Sequence, residues 1–285
     1  MALAPHEEPA RQTRLTRLSL TDFRNYRGAT LSVSGQHVVL TGPNGAGKTN
    51  VLEAISLFSP GRGLRRAAYS AMIRREGEGI AQAWALHAKL ARESEDWAIG
   101  TGYTDGASGR QVRIDGDDGK ADDLSQLVRI LWLTPAMDGL FTGGPSDRRR
   151  FLDRLALALN PQHGRRANAY ERAMRQRNKM MDEGVRDPAW FDAVEKEMAD
   201  HGTALTLART DLVDRLNGAQ SARADEATDF PKARLTLADE MDAPDAAAFA
   251  QKLADMRPRD RAAGRALVGP HRADLSVVHV EKDMP

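Results

Sequence analysis

Alternation of polar and apolar residues opens the chain. "TRLSLTDF" and then "ATLSVS" put every second side chain on an apolar face, the period-two pattern of half-buried strands. "HVVL", residues 37–40, is a short continuous apolar run and reads as a buried strand. Beyond a glycine-rich stretch, Val51, Leu52, Ile55 and Phe58 recur at helical spacing, and "SPGRG" supplies the Pro and Gly that end a helix. "AQAWALHAKLA", "DWAIGTGY" and "RQVRID" then read as antiparallel strands, with "SGR" and "DGDDG" as turns. From Ser146 to about Asn217 the period becomes helical, interrupted at "NPQHG" and "EGVRDP", with a stripe of Leu205, Ala208, Leu212 and Leu216. "ARLTLAD" and "ADLSVVHVE" return to strand periodicity. The pattern predicts an α/β domain interrupted by a helical module. Its expected parts are a loose tail over 1–13, an α/β lobe over 14–145, a helical lobe over 146–230 and a return to the first lobe over 231–285.

Composition narrows the chemistry. Across 285 residues, 41% hydrophobic and 28% charged is ordinary usage for a chain with a packed core. The absence of cysteine excludes a disulfide framework, a thiolate nucleophile and a Cys-type zinc site, and suits a reducing compartment, the cytoplasm by default. No apolar run reaches membrane-spanning length, and "MALAPHEEPARQTRLTR" has no signal-peptide core, so neither a membrane span nor an export signal is expected. The net charge of +1 hides a strong asymmetry: residues 11–75 hold eleven Lys/Arg against two acids, Asp22 and Glu53, and 145–180 hold ten against three. Residues 181–260 reverse this with eighteen acids to ten bases. Such a division is compatible with a polyanion track on one side and equally with solvated helix faces.

The glycine-rich stretch carries the most specific signal. Gly42-Pro43-Asn44-Gly45-Ala46-Gly47-Lys48-Thr49 fits G-x-x-x-x-G-K-[ST] at every position. Glycines without Cβ let successive backbone N–H groups turn inward around phosphates, and the helix that follows adds its positive end. In this reading Lys48 reaches the β/γ-phosphates and Thr49 ligates Mg²⁺. Guanine is disfavoured as the base, because "NKMM" at Asn178 to Met181 lacks the aspartate of N-K-x-D and falls in a helical stretch. An α/β domain interrupted by helices points toward ATPases of the ABC and SMC type.

Four stretches in order, "LSLTDFRNYRGATL", the glycine loop, "TPAMDGLFTGGPSDRRRFLDRL" and "GPHRADLSV", resemble the RecF family of bacterial recombination mediators from Leu18 to Val277. The resemblance implies a P-loop NTPase of ABC/SMC-head type with an inserted helical second lobe. It further implies an ATP-dependent homodimer on gapped, single-stranded or duplex DNA, with Mg²⁺ and slow hydrolysis. Cooperation with RecO and RecR in loading RecA during repair, replication and the SOS response completes the expectation.

Each motif also has its own physical reading. In "FRNY", Arg24 and Asn25 are candidates for the nucleotide or a subunit interface, and a strand-end turn with a surface arginine reads equally well. In "GGPSDRRRFLDRL", Ser146 reads as an N-cap, which would set Arg148, Arg149 and Arg150 in the first helical turn, facing the positive end of the macrodipole. A phosphate or carboxylate partner would offset that, so the three are candidates for DNA or partner contacts; pairing within the chain, with Asp153 as one acid, is the alternative. His271 and Arg272 are candidates for the nucleotide or the dimer seam by resemblance, although a lone histidine beside a strand is more often structural. The chain departs from the family pattern at Ala136 and Ala273, where acids are usual. Met174, Met180, Met181 and Met198 lie in helical stretches and are expected to pack.

Neither an L-S-x-G-x signature loop nor an apolar run ending in an acidic pair is present. Since RecF-like chains carry those parts after the "GPHR" segment, the expectation is a chain truncated at its C-terminus. Two further functions use the same loop: the ATPase subunit of a membrane transporter and a nucleotide-binding scaffold that does not hydrolyse.

Overall fold

The structure is a computed structural model that describes residues 13–35, 37–76, 79–92, 95–222, 231–238 and 245–282. The expected tail over 1–13 lies, apart from Thr13, outside the described residues. The chain divides into two compact units, Met1–Trp132 and Leu133–Pro285.

In the first unit, alternation produces strands β1 (Arg14–Phe23) and β2 (Tyr26–Ser32), paired as a hairpin. Helix α1 (Lys48–Ser56) follows the glycine loop, and the short pair β3 (Arg75–Glu76) and β4 (Gly79–Ile80) follows a 3-10 turn. Strands β5 (Ala83–Arg92), β6 (Glu95–Thr104), β7 (Gln111–Ile114) and β8 (Asp117–Gly119) complete an antiparallel six-stranded sheet in the order β2-β1-β5-β6-β7-β8. The "DGDDG" expected as a turn is divided. Asp115 (φ 50°) and Gly116 (φ 94°) make a two-residue hairpin turn in the left-handed region, which leaves Asp117 to begin β8. A short helix, α2 (Leu124–Leu127), follows.

One face of this sheet is apolar. Leu18 and Leu20 of β1 align with Ala88 and Leu86 of β5, then with Ile99 and Thr101 of β6. Upon them pack Val51, Ala54, Leu57 and Phe58 from α1 and the turn after it, with Trp84 edge-on to Phe23 at 5.5 Å. Full burial of a Val, Leu or Phe side chain stabilises by roughly 1.5–3 kcal/mol, so α1 is held in place by its core face. Leu52, expected on that face, is 49% exposed.

The buried strand expected at "HVVL" is not formed. Val38 and Val39 are 55% and 82% exposed, and no described strand pairs with them. A continuous apolar run becomes a buried strand only with neighbours on both edges. Here His37, Val38 and Leu40 instead border a hollow of about 550 Å³ with Leu15, Leu18, Leu31, Val51 and Ile55.

The second unit is built on helices α3 (Pro145–Leu159), α4 (His163–Asp182) and α5 (Pro188–Ala222). The breaks between them fall at "NPQHG" and "EGVRDP", as expected. Strand β9 (Ala233–Ala238), helix α6 (Ala246–Ala263) and strand β10 (Asp274–His279) follow, with β9 and β10 antiparallel. Tyr170, Met180, Met181, Met198, Phe191, Phe249 and Leu253 form one core, with Met174 packed against it, so all four methionines pack. A second core joins Leu152 and Ala156 of α3, Leu212 and Val213 of α5 and Leu275 of β10. No helix among the described residues is long and apolar enough to cross a membrane.

Candidate functional site

The glycine loop turns through backbone angles that only glycine adopts at little cost: Gly42 has φ 144°, Gly45 φ 85° and Gly47 φ 97°. Gly47 is also the N-cap of α1, and a Cβ there would sit 2.6 Å from Tyr26 Oη and 2.8 Å from Asn25 Nδ2. Ala46 N–H donates to Pro43 O at 3.2 Å, closing the turn over Asn44 and Gly45. Lys48 Nζ donates to Gly42 O at 2.7 Å and to Pro43 O at 2.8 Å, so the ammonium is held against the loop. Thr49 stands exposed in the first turn of α1. A helix leaves its first N–H groups without intrahelical acceptors and carries partial positive charge there, so the loop and the start of α1 together suit an anion.

Behind the loop lies a polar network. Asn25 Oδ1 accepts from Asn50 Nδ2 at 2.7 Å, and Asn50 Oδ1 accepts from Arg65 Nη1 at 2.7 Å. Arg65 Nη1 also donates to Glu53 Oε2 at 2.9 Å. Glu53, fully buried, takes two further bonds from Arg24, Nε to Oε2 at 2.9 Å and Nη2 to Oε1 at 2.6 Å. Arg24 Nη1 donates to Ala71 O, and Arg24 itself sits at φ 57°, a conformation rare for a residue with a Cβ. The guanidinium of Arg24 is thus committed to α1 and the 3-10 turn, while Asn25 and Tyr26 are the "FRNY" members that touch the glycine loop. At the far end of α1, Arg110 donates to Leu57 O and, at 2.6 Å, to Ser59 O. A cation there complements the negative end of the helix dipole.

The arginines of "PSDRRRFLDRL" do not occupy the first helical turn. Gly144 is the N-cap and Pro145 the first helical residue, because proline fits N1, where no N–H is needed; Arg148 therefore begins the second turn. Arg148 grips Asp274 with Nε and Nη2, both at 2.8 Å, and donates to Gly143 O at 2.7 Å. This hydrogen-bonded pairing holds the Asp274 carboxyl below its ordinary value. Arg149 donates to Ala273 O at 3.0 Å; burial, with Arg209 and Arg272 nearby, pushes its pKa down. Arg150 is exposed and pairs with Asp147 at 2.7 Å. Asp153 pairs with Arg209 through two bonds of 2.8 and 2.9 Å, and Arg209 also reaches Pro270 O at 2.6 Å. The structure thus brings the two motifs "PSDRRRFLDRL" and "GPHRADL" together as a clamp of α3 on the segment leading into β10.

His271 Nδ1 lies 2.8 Å from Tyr170 Oη, and its Nε2 lies 3.1 Å from Ala266 O. A ring donating from Nε2 to a carbonyl and accepting the tyrosine proton at Nδ1 is neutral. Burial lowers the His271 pKa, and the Arg272 and Arg149 charges add to this. The histidine pins the "GPHR" turn to α4, where Gly269 leaves room for Tyr170; a Cβ there would meet Tyr170 Oη at 2.3 Å. Arg272 is exposed.

Glu53, Asn50, Arg65 and Arg110 were not singled out in the sequence. One signal was available for Glu53: one of only two acids among eleven bases in residues 11–75, on the apolar side of a helix, it requires a buried cationic partner.

Comparison with known proteins places this geometry in context. Residues 14–183 match the family described as RecF/RecN/SMC N terminal domain. The chain is 52% identical over 281 residues to the DNA replication and repair protein RecF of Rhizobium johnstonii, covering 95% of this chain and 74% of that protein. It is 48% identical over 285 residues to RecF of Mesorhizobium japonicum, covering 96% and 74%. Among solved structures it is similar to the recombination mediator protein RecF-ATP in the RecFOR pathway, with TM-score 0.83 and 18% identity over 96% of this chain and 75% of that chain.

Proposed function

The chain belongs to the RecF family of DNA replication and repair proteins, with the P-loop ABC/SMC-head fold, and from that premise we propose that it is an ATP-gated DNA-binding protein of recombinational repair. The observation that carries this reading is the cradle at Gly42–Thr49, with left-handed glycines, a lysine ammonium poised on the loop and a helix start behind it. Its residues fit a nucleotide phosphate: Gly42, Pro43, Asn44, Gly45, Ala46 and Gly47 supply backbone, Lys48 supplies charge, and the exposed Thr49 hydroxyl is the residue to hold Mg²⁺. ATP and Mg²⁺ bound there would supply charge that a second subunit reads; the protein's own part is to hold the phosphates and exclude competing loop conformations. Asn25 and Tyr26 set the loop from behind. Arg150, paired with Asp147 on its own helix, and Arg272 are the exposed arginines of "RRR" and "GPHR" and so the candidates there for a partner. Residues 14–145 serve as the nucleotide lobe in this reading, 146–230 as the helical lobe, and 231–285 as the start of the return.

The full reading is a homodimer closed on gapped DNA by ATP, acting in the cytoplasm with RecO and RecR to load RecA. ATP binding by the chain, followed by calorimetry, should fall at least tenfold in Lys48→Ala while thermal unfolding stays within about 1 kcal/mol of the parent, since the half-buried ammonium bonds only two loop carbonyls. DNA affinity measured by anisotropy should rise when ATP is added. Equal ATP affinity in Lys48→Ala, or DNA binding identical with and without ATP, would refute the assignment.

A further inference from the structure

Strand register sets the second face of the six-stranded sheet in rows, with a β-bulge between Leu15 and Arg17 at one end. Register places Ser32, Arg17, Lys89 and Ala98 in one row across β2, β1, β5 and β6. Two residues along, Thr30, Ser19, His87, Gly100, Arg113 and Asp118 form the next row, reaching β8. Arg17, His87, Lys89 and Arg113 are all exposed.

Two features of this face are unexplained by the protein's own packing. Arg17 and Lys89 lie directly opposite one another on adjacent strands, where like charges repel, and neither has a carboxylate partner among the described residues. Of the acids on the sheet's own strands, Asp118 pairs with Arg113 at 3.4 Å and Glu95 with Arg92 at 3.8 Å, while the exposed Asp96, opposite Ala91, pairs with neither Arg17 nor Lys89. Gly100 is the second feature. Glycine inside a strand weakens it and marks either a crowded spot or a surface approached closely by something else. A Cβ built on Gly100 meets nothing nearer than 3.8 Å, so the fold does not require glycine there. Gly102, whose Cβ would lie 3.0 Å from Trp84 O, is in contrast explained by internal crowding.

We propose that this sheet face is a docking surface for the phosphate backbone of DNA, with Arg17 and Lys89 as the principal phosphate contacts and Gly100 keeping the path over β6 clear between His87 and Arg113. The proposal rests on the reading of the chain as a DNA-binding protein. Charge complementarity selects the occupant: a polyanion relieves the repulsion between Arg17 and Lys89, while the serine and threonine hydroxyls of both rows offer further donors. The size also fits. Three strand steps from β1 to β7 span about 14 Å, which matches roughly four phosphates of one DNA strand at about 3.4 Å of axis each. Contacts of this kind are made to backbone and carry no base preference.

The test is anisotropy of a short fluorescent DNA duplex titrated with the chain over a series of salt concentrations, with ATP present. Each phosphate contact contributes a slope of about 0.9 in log K against log salt, so Arg17→Ala/Lys89→Ala should lower the slope by about 1.8. At 0.1 M salt that amounts to a roughly 60-fold loss of affinity. Removing two opposed cations should leave the melting temperature unchanged or raise it, which separates lost contacts from lost folding. Gly100→Val, which favours the strand, should melt no lower than the parent and still bind DNA on the order of tenfold more weakly. An unchanged salt slope in the double variant, with the parent binding DNA, overturns the surface while the proposed function stands. Undiminished affinity in Gly100→Val overturns the approach over β6. A parent chain without DNA affinity overturns both.

Discussion

Replacing Glu53 by glutamine tests whether the glycine loop depends on a charge buried behind it. The carboxylate is fully buried and accepts three N–H bonds, two from Arg24 and one from Arg65, at 2.6–2.9 Å. Glutamine keeps the volume, removes the charge and turns an amide NH₂ toward guanidinium donors. Removing one partner of a buried ion pair costs about 3–5 kcal/mol. Arg24 is 18% exposed and Arg65 41%, so water recovers part of their solvation and the lower end, about 3 kcal/mol, is expected. That is a large share of the roughly 5–15 kcal/mol by which a domain is stable. Amide hydrogen exchange reads it locally: protection of the α1 amides in Glu53→Gln should fall by roughly 150-fold, the factor equivalent to about 3 kcal/mol. ATP affinity should fall as well, because Asn50 links the same arginine to Asn25 beside Gly47. Protection reduced by less than about tenfold, or a coupling near zero in the Arg24→Ala/Glu53→Ala cycle, would show that the carboxylate is not what holds this corner.

The remaining predictions concern single contacts. Gly47→Ala places a Cβ against Tyr26 and Asn25 at φ 97°, so ATP affinity should drop more than the roughly 1–2 kcal/mol of backbone strain alone, and normal affinity by calorimetry would contradict the loop geometry. Tyr170→Phe keeps the packed ring and removes the hydroxyl held by His271, with an expected loss of about 1 kcal/mol in urea unfolding. Because burial depresses the His271 pKa in the folded chain, the unfolded chain takes up that proton first. Its contribution to stability is present above the ordinary histidine value of 6.5 and is lost as pH falls below it, so the parent's melting temperature should decline there and the decline should lessen in His271→Gln. Arg177→Met leaves the buried Asp260 without the guanidinium bonded at 2.6 Å and takes from the buried Glu195 one of its two arginines, the 2.8 Å partner, while Arg257 still holds it; the loss by the same measurement should be about 3–5 kcal/mol.

The amino-acid sequence alone determined the parts whose physics is local. Alternation at "TRLSLTDF" and "AQAWALHAKLA" yields strands, the period and breaks from Ser146 to about Asn217 yield three helices, and G-x-x-x-x-G-K-T yields a loop with left-handed glycines, since each depends on neighbours a few residues away. The four motifs, read together, also led to the right family. What the sequence could not decide is which charged side chains face one another across more than a hundred residues. Arg148 and Asp274 stand 126 positions apart and Arg149 and Ala273 124, so arginines that read as candidates for DNA are drawn onto the start of β10 and the residue before it. Arg24 and His271, candidates for the nucleotide, find Glu53 and Tyr170 for the same reason: a buried polar group is stable only with a partner, and the tertiary fold supplies it. The "HVVL" run shows the converse, because apolar periodicity proposes a strand but only paired neighbours make one. The opposed cations of Arg17 and Lys89 were likewise invisible until strand register, set by the hydrophobic face, placed them side by side.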